Sequence, residues 1–316
     1  MKKLNVILGT GPLGYWLMRE LVEKDADVKL LNRSGKLGYE LPENVTMGAC
    51  DATDPEEVFE HCRDAAVVYH CAMPPYTKWP EQFPPLMNGI VDGVSQAGAK
   101  LIFGDNLYMY GPTNGKELTE DLPYAAKGHK GKTRALMAEM LMDAHKEGKV
   151  RVSIGRGSDF FGPHVINAAF GKMFFKPALE NKPVNLLGNI DQPHSLTYIK
   201  DFAKALIILA EDERALGKTW HVPNAKAIPT RNVVEIIEQE MGKPIKTRVA
   251  GKFLISLLGL FNPMVREAKE MLYTWEKPYV VDSSKFEKEF GLKATPLEDS
   301  MKETIAWFKD YLSKSE

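Results

Sequence analysis

Gly9, Gly11 and Gly14 follow the apolar run Leu4 to Leu8 directly, and a helical pattern begins behind them at once. In that setting the spacing suits one kind of chemistry: the backbone turns tightly, approaches a pyrophosphate, and packs helix against strand. Leu13, Trp16, Leu17 and Leu21 share one helical face, so the helix's amide end would point at the phosphates. Gly9, Thr10, Gly11, Pro12, Leu13 and Gly14 are the expected grip on a dinucleotide.

The next apolar run, Val28 to Asn32, ends in Asn32-Arg33-Ser34. A dinucleotide fold places an acid there, about 20 residues past the glycines, to hold the adenosine ribose. Without the carboxylate nothing repels a 2′-phosphate, and Arg33 offers it a charge-assisted partner. The expected cofactor is therefore NADP rather than NAD. Asp51, followed by Ala52, is placed to face the adenine, since Thr53 or Asp54 caps the next helix with Pro55 in its first turn.

These residues need a sheet to hold them. Val45 to Gly48, Ala66 to Cys71, Lys100 to Gly104 and Val150 to Gly155 read as further strands. Helices are expected over Leu86 to Ala97 and Arg134 to Lys146. Strand and helix alternate up to residue 156, which requires right-handed crossovers and a parallel sheet. The expected organisation is a dinucleotide domain over 1–156 and a smaller mixed region over 157–316, with some segments returning to the first. Within the later region Asp201 to Ala210 reads as helix. His70, alone at a strand end, reads as a structural hydrogen-bonding residue. Met73 to Pro85 carries five prolines and three aromatics, which argues against regular helix or central strand. Tyr76, Trp79 and Phe83 either wall a pocket there or fold onto the core.

Composition excludes several classes. In 316 residues, 41 Lys+Arg against 42 Asp+Glu leave no basic field for nucleic acid or an anionic membrane. Three cysteines without C-x-x-C spacing argue against a disulfide framework or a metal site and suit a reducing cytoplasm. Met-Lys-Lys runs straight into the first strand, so no leader is expected. The apolar run Phe253 to Phe261 is too short to cross a bilayer as a helix.

Taken in order, these motifs resemble the extended short-chain dehydrogenase/reductases, the broad group of nucleotide-sugar epimerases, dehydratases and hydroxysteroid dehydrogenases. The resemblance rests on Asp51, His70-Cys71-Ala72, Asn88, Tyr110-Gly111, Arg156 with Phe161-Gly162-Pro163, and Tyr198 to Asp201. Asp282 to Lys285 and Phe290 to Pro296 extend it. It implies a Rossmann-type doubly wound α/β fold and a small-molecule substrate. Cys71, Ala72, Met73, Gly157, Asp159 and Phe160 would then line the cofactor, and a homodimer would pair through Met87 to Ala97 and Leu136 to Ala144.

The chemistry departs from that resemblance. Such proteins use Ser or Thr to polarise a carbonyl and a Y-x-x-x-K helix motif to move the proton. Here Asn106 stands at the Ser/Thr place, Gly131 and Ala135 stand at the Tyr and Lys places, and Leu8 replaces the first glycine of G-x-x-G-x-x-G. Asn106 can still donate to a substrate oxygen. Tyr124 is the candidate acid, with Lys127, Lys130 or Lys132 to lower its pKa; Asp105 and Tyr108 are alternatives. Two functions stay open: an NADP-dependent oxidoreductase or epimerase-type enzyme, and a protein that senses NADP(H) without turnover. An enzyme's substrate would lie beneath Met73 to Trp79, Phe160, Phe161 and His194. A nucleotide sugar would meet Arg231 or Lys172, whereas an apolar substrate would meet Phe253 to Phe261 and Met264.

Overall fold

The computed structural model describes residues 3–250 and 269–314. The run Phe253 to Phe261 and Met264 lie outside the described residues. The chain divides into two compact units. The first holds the chain up to Met109 with His129–Arg156 and Phe202–Val222. The second holds Tyr110–Gly128, Gly157–Asp201 and the chain from Pro223 onward.

The first unit is built on β1 (Leu4–Leu8), β2 (Asp27–Asn32), β3 (Val45–Ala49), β4 (Ala65–His70), β5 (Lys100–Asp105) and β6 (Arg151–Arg156). A seventh strand, β11 (Thr219–His221), was not expected from the sequence. The sheet order is β11-β6-β5-β4-β1-β2-β3, and every pairing is parallel. Strand order reverses between β1 and β4, so a ligand crevice is expected at their carboxyl ends. Val6, Ile7, Leu101 and Ile102 are fully buried, as strands covered on both faces require.

Helices α1 (Pro12–Glu23), α2 (Pro55–Cys62), α3 (Trp79–Ala97) and α4 (His129–Lys146) connect these strands. Asp54 caps α2, its side chain accepting from Glu56 N at 2.9 Å. Two expectations are corrected. Helix α3 begins at Trp79 rather than Leu86 and carries Pro84 and Pro85 inside it. Those prolines remove the bonds to the carbonyls of Pro80 and Glu81, but burial of Trp79 and Phe83 holds the turn in place. Helix α4 begins at His129, ahead of Arg134, and buries Lys130, Gly131, Thr133 and Arg134.

Among the described residues the second unit contains three small sheets. β7 (Asp159–Phe161) pairs in parallel with β10 (Leu196–Tyr198), and β8 (Val184–Leu187) with β13 (Thr247–Ala250). β9 (Pro193–His194) runs antiparallel to β12 (Ile228–Pro229). Phe174 and Phe175 of α5 (Lys172–Leu179), Ile237 of α7 (Thr230–Met241), and Met301 and Phe308 of α8 (Leu297–Ser313) belong to its core. Helix α6 spans Ile199–Glu211, longer at both ends than expected. Its Asp201 fixes the second unit's chain by accepting from Thr295 N at 2.7 Å and Thr295 Oγ1 at 2.8 Å.

Candidate functional site

Gly9 leaves β1 with φ +108°, a conformation open to glycine. A Cβ there would lie 2.6 Å from the Ala72 nitrogen, so the turn and the end of β4 touch through backbone. A Cβ at Gly14 would fall 1.9 Å from the Gly9 carbonyl oxygen, and this absent side chain lets α1 close on the strand. Gly11 differs from both. It is the N-cap of α1, its backbone is extended, no side chain caps the helix, and nothing lies within 4 Å of its Cβ position. Two glycines make the turn and the third leaves open space before an uncapped helix amide end, a cradle that fits a diphosphate. Thr10 lies between Gly9 and Gly11, and Pro12 and Leu13 open α1.

Asn32 organises the neighbouring loop. Its Oδ1 accepts from Ser34 N, Ser34 Oγ and Gly35 N, and its Nδ2 donates to Thr10 Oγ1 at 3.0 Å. The side chain therefore ties the loop after β2 to the glycine turn. Arg33 is exposed beside it. Asp51 is exposed as well, and bonds from Thr53 N and Thr53 Oγ1, with the Arg33 charge nearby, hold its carboxyl below the usual range. Ala52 is buried, Cys71 and Ala72 are half-buried, and Met73 is 59% exposed.

Asp105 ends β5 inside the same unit. Its Oδ1 lies 3.2 Å from Arg134 Nη1 and its Oδ2 3.3 Å from Arg156 Nε, and all three side chains are buried. Arg134 also stacks on Trp79 and Phe83, at 4.3 and 4.5 Å from their ring centres. Of the two places open to Trp79 and Phe83, the core is where they lie. Asn106 follows. Its Oδ1 accepts from Tyr108 N at 3.1 Å, which fixes the amide and leaves Nδ2 without a partner among the described residues.

His70 does not act as a structural hydrogen-bonding residue. It is fully buried, neither ring nitrogen has a partner among the described residues, and the ring stacks on Phe103 at 4.8 Å. Burial, and then the Arg134 charge, push its pKa down to about 3. It packs as a neutral aromatic ring.

Tyr124, Gly157, Asp159 and Phe160 fall in the second unit. Tyr124 is half-buried and meets the Tyr110 ring edge-on at 6.0 Å. His194 stacks on Trp275 at 3.8 Å. Its Nε2 lies 2.7 Å from Asp159 Oδ2, and its Nδ1 donates to the Thr274 carbonyl at 3.0 Å. Arg231 pairs with Asp191 at 2.8 Å.

The buried charges on α4 went unread in the sequence. Lys130 lies two helical turns before Met137 and Arg134 two turns before Leu141, on the same buried stripe. Two cations interrupting that stripe are the signal that would have marked them. Among the described residues no cluster of His, Cys, Asp and Glu could hold a metal ion. No helix among them is long and apolar enough to cross a membrane.

Comparison with curated proteins finds no match. Among solved structures, the UDP-glucuronic acid 4-epimerase from Bacillus cereus in complex with NAD superposes with TM-score 0.79 at 18% identity, covering 98% of this chain and 99% of that one. The UDP-glucose 4-epimerase from Thermotoga maritima gives 0.80 at 15% identity, with 98% and 99% covered. The dTDP-glucose 4,6-dehydratase from Bacillus anthracis gives 0.79 at 16% identity, with 98% and 97% covered. Likeness at such identities speaks for the fold, the Rossmann-type α/β architecture. The model of the NAD dependent epimerase/dehydratase family matches residues 6–222, and the chain belongs to that family.

Proposed function

We propose that this chain is an NADP(H)-dependent oxidoreductase or epimerase/dehydratase-type enzyme acting on a hydroxyl or carbonyl group of a small molecule. The open space at Gly11, between two glycines whose Cβ positions are filled by backbone, carries the reading. Arg33 and the lack of an acid at Asn32 favour the 2′-phosphate form of the cofactor, although the Bacillus cereus neighbour holds NAD. When bound, the dinucleotide supplies the hydride donor or acceptor. Asn106 Nδ2 serves the substrate oxygen, because an amide held through its own oxygen presents a fixed donor to developing negative charge.

The neighbours' names make a sugar nucleotide one candidate substrate, with Lys172 or Arg231 for its diphosphate, and Arg231 would have to leave Asp191. Leu136, 44% exposed on α4, supports self-association there. The unpaired cysteines Cys50, Cys62 and Cys71 suit a reducing cytoplasm.

Calorimetry with NADP(H) and NAD(H) tests the reading. Tighter binding of NADP(H) is expected; no heat with either at millimolar concentration would overturn it. The sensing alternative is favoured by one observation, the absence of tyrosine from α4. Cofactor oxidation or reduction with any of a panel of sugar nucleotides, ketones and aldehydes would exclude it.

A further inference from the structure

Helices α5 and α8 pack together within the second unit, where the Phe175 ring stacks on Phe308 at 4.5 Å. The same two helices line a groove of about 290 Å³. Lys172, Lys176 and Leu179 of α5, with Glu180 at its cap, recur at helical spacing along one wall, and Lys309 and Leu312 of α8 stand along the other. Leu179 and Leu312 are half-buried and packed on the unit's core, so the groove has an apolar floor.

Its charge is lopsided, with three lysines against one glutamate. Glu180 is already engaged, at 2.8 Å from Lys182 and 3.8 Å from Lys176. Lys172 and Lys309 form no ion pair among the described residues. Lys172 is half-buried, and its Nζ lies 5.8 Å from the centre of the Tyr311 ring, within cation–π range, so its charge is held at the groove. A carboxylate would bring this lining one negative charge. A phosphate monoester brings about 1.5–2 near neutral pH, with three strong acceptor oxygens, and lysine binds phosphate as a point charge. The excess of two positive charges matches the phosphate. Glu180 and the carboxyl end of α8 oppose an anion, so binding depends on the leucine floor as well as on the lysines.

We propose that the groove between α5 and α8 binds a small soluble phosphate monoester with an apolar or aromatic body. Lys172 and Lys309 meet the phosphate, and Leu179 and Leu312 meet the body. The site goes beyond the enzyme reading and does not rest on it. A sugar nucleotide is too large for this volume, since pockets for drug-sized ligands begin near ~300 Å³. Lys172 therefore has its own anion, and Arg231 is left for a sugar nucleotide's diphosphate.

The test is calorimetry on the full chain with phenyl phosphate as the probe. Saturable binding with a Kd on the order of 1 mM or tighter is expected. Lys172→Gln and Lys309→Gln should each weaken it by about fivefold or more, the upper range of an exposed charge pair. Lys302→Gln, an exposed change on α8 outside the groove, should leave it within about twofold. Inorganic phosphate lacks the part that meets the leucines and should bind at least about tenfold more weakly. Absence of saturable heat overturns the proposal, and so does equal affinity for the two phosphates, or affinity that either groove variant leaves in place. Retention on phosphatidate vesicles without binding of phenyl phosphate would assign the face to a membrane and overturn it too. UDP-glucose should not displace the probe; displacement would return Lys172 to the diphosphate of a substrate. Calorimetry with NADP(H) on the same samples separates this site from the enzyme reading, because absent cofactor binding removes that reading and leaves the groove untouched.

Discussion

Arg134 Nη1 stands 3.2 Å from Asp105 Oδ1 with both side chains buried, so the end of a central strand is fastened to the helix beside it by charge. Arg156 adds a second cation on the other carboxylate oxygen. Removing the shared anion takes one charged partner from two buried guanidinium groups. Asp105→Asn is expected to cost about 3–5 kcal/mol, as loss of one partner from a buried ion pair does. Urea unfolding of the two proteins measures it. A loss below about 1 kcal/mol would show that water, not protein, solvates these arginines.

The three glycines of the turn are expected to respond differently to alanine. Gly11 has φ −71° and no atom within 4 Å of its Cβ position. Gly11→Ala should therefore keep or raise stability, by about 0.4–1 kcal/mol. The new methyl would occupy the space assigned to the diphosphate and weaken NADP(H) binding at least about tenfold, or ~1.4 kcal/mol. Gly14→Ala would place a methyl 1.9 Å from the Gly9 carbonyl oxygen and should lower stability by about 1–3 kcal/mol through overpacking. Thermal melts and calorimetry on both variants separate the effects. Unchanged affinity in Gly11→Ala would place the phosphates elsewhere.

Arg33 is exposed, and its partner in the proposed complex is a phosphate found in NADP and not in NAD. A charge-assisted hydrogen bond contributes about 1.5–3 kcal/mol, so Arg33→Ala should weaken NADP(H) roughly 10–100-fold. NAD(H) affinity should stay within about threefold, a difference near 0.7 kcal/mol. Parallel loss of both cofactors would assign Arg33 to the loop rather than to the 2′-phosphate.

How much of this was legible depended on the range over which each constraint acts. The glycine turn, the Asp54 cap and the parallel strands follow from neighbours within a few positions, and the structure shows each of them. The helix from Trp79 was hidden because Pro84 and Pro85 argue locally against it. The contacts that override them, Arg134 on Trp79 and Phe83, come from some fifty positions away. Asp159 and His194, 35 residues apart, meet for the same reason, and nothing local in either strand marks the pairing. The sequence offers Lys130 only beside Lys127 and Lys132 as a cation for Tyr124, and its burial follows from its place on the stripe of Met137 and Leu141.

His70 gives a prediction that turns on pH. Burial, and then Arg134, lower its pKa from 6.5 to about 3, while the unfolded chain titrates near the ordinary ~6.5. Between those values the unfolded state takes up a proton that the native state refuses, so this histidine's contribution is complete above about pH 6.5. It is lost as pH falls toward 3, at up to ~1.4 kcal/mol per pH unit. Since neither ring nitrogen has a partner among the described residues, an apolar side chain of similar size should be tolerated at neutral pH. His70→Leu should then unfold near the unaltered protein's urea midpoint at pH 7.5. It should become progressively more stable than that protein at pH 5.5 and 4.5, while acid loss from carboxylates such as Asp51 is common to both. Stability curves that stay parallel down to pH 4.5 would mean that the buried ring accepts a proton, and the neutral-packing assignment would fall.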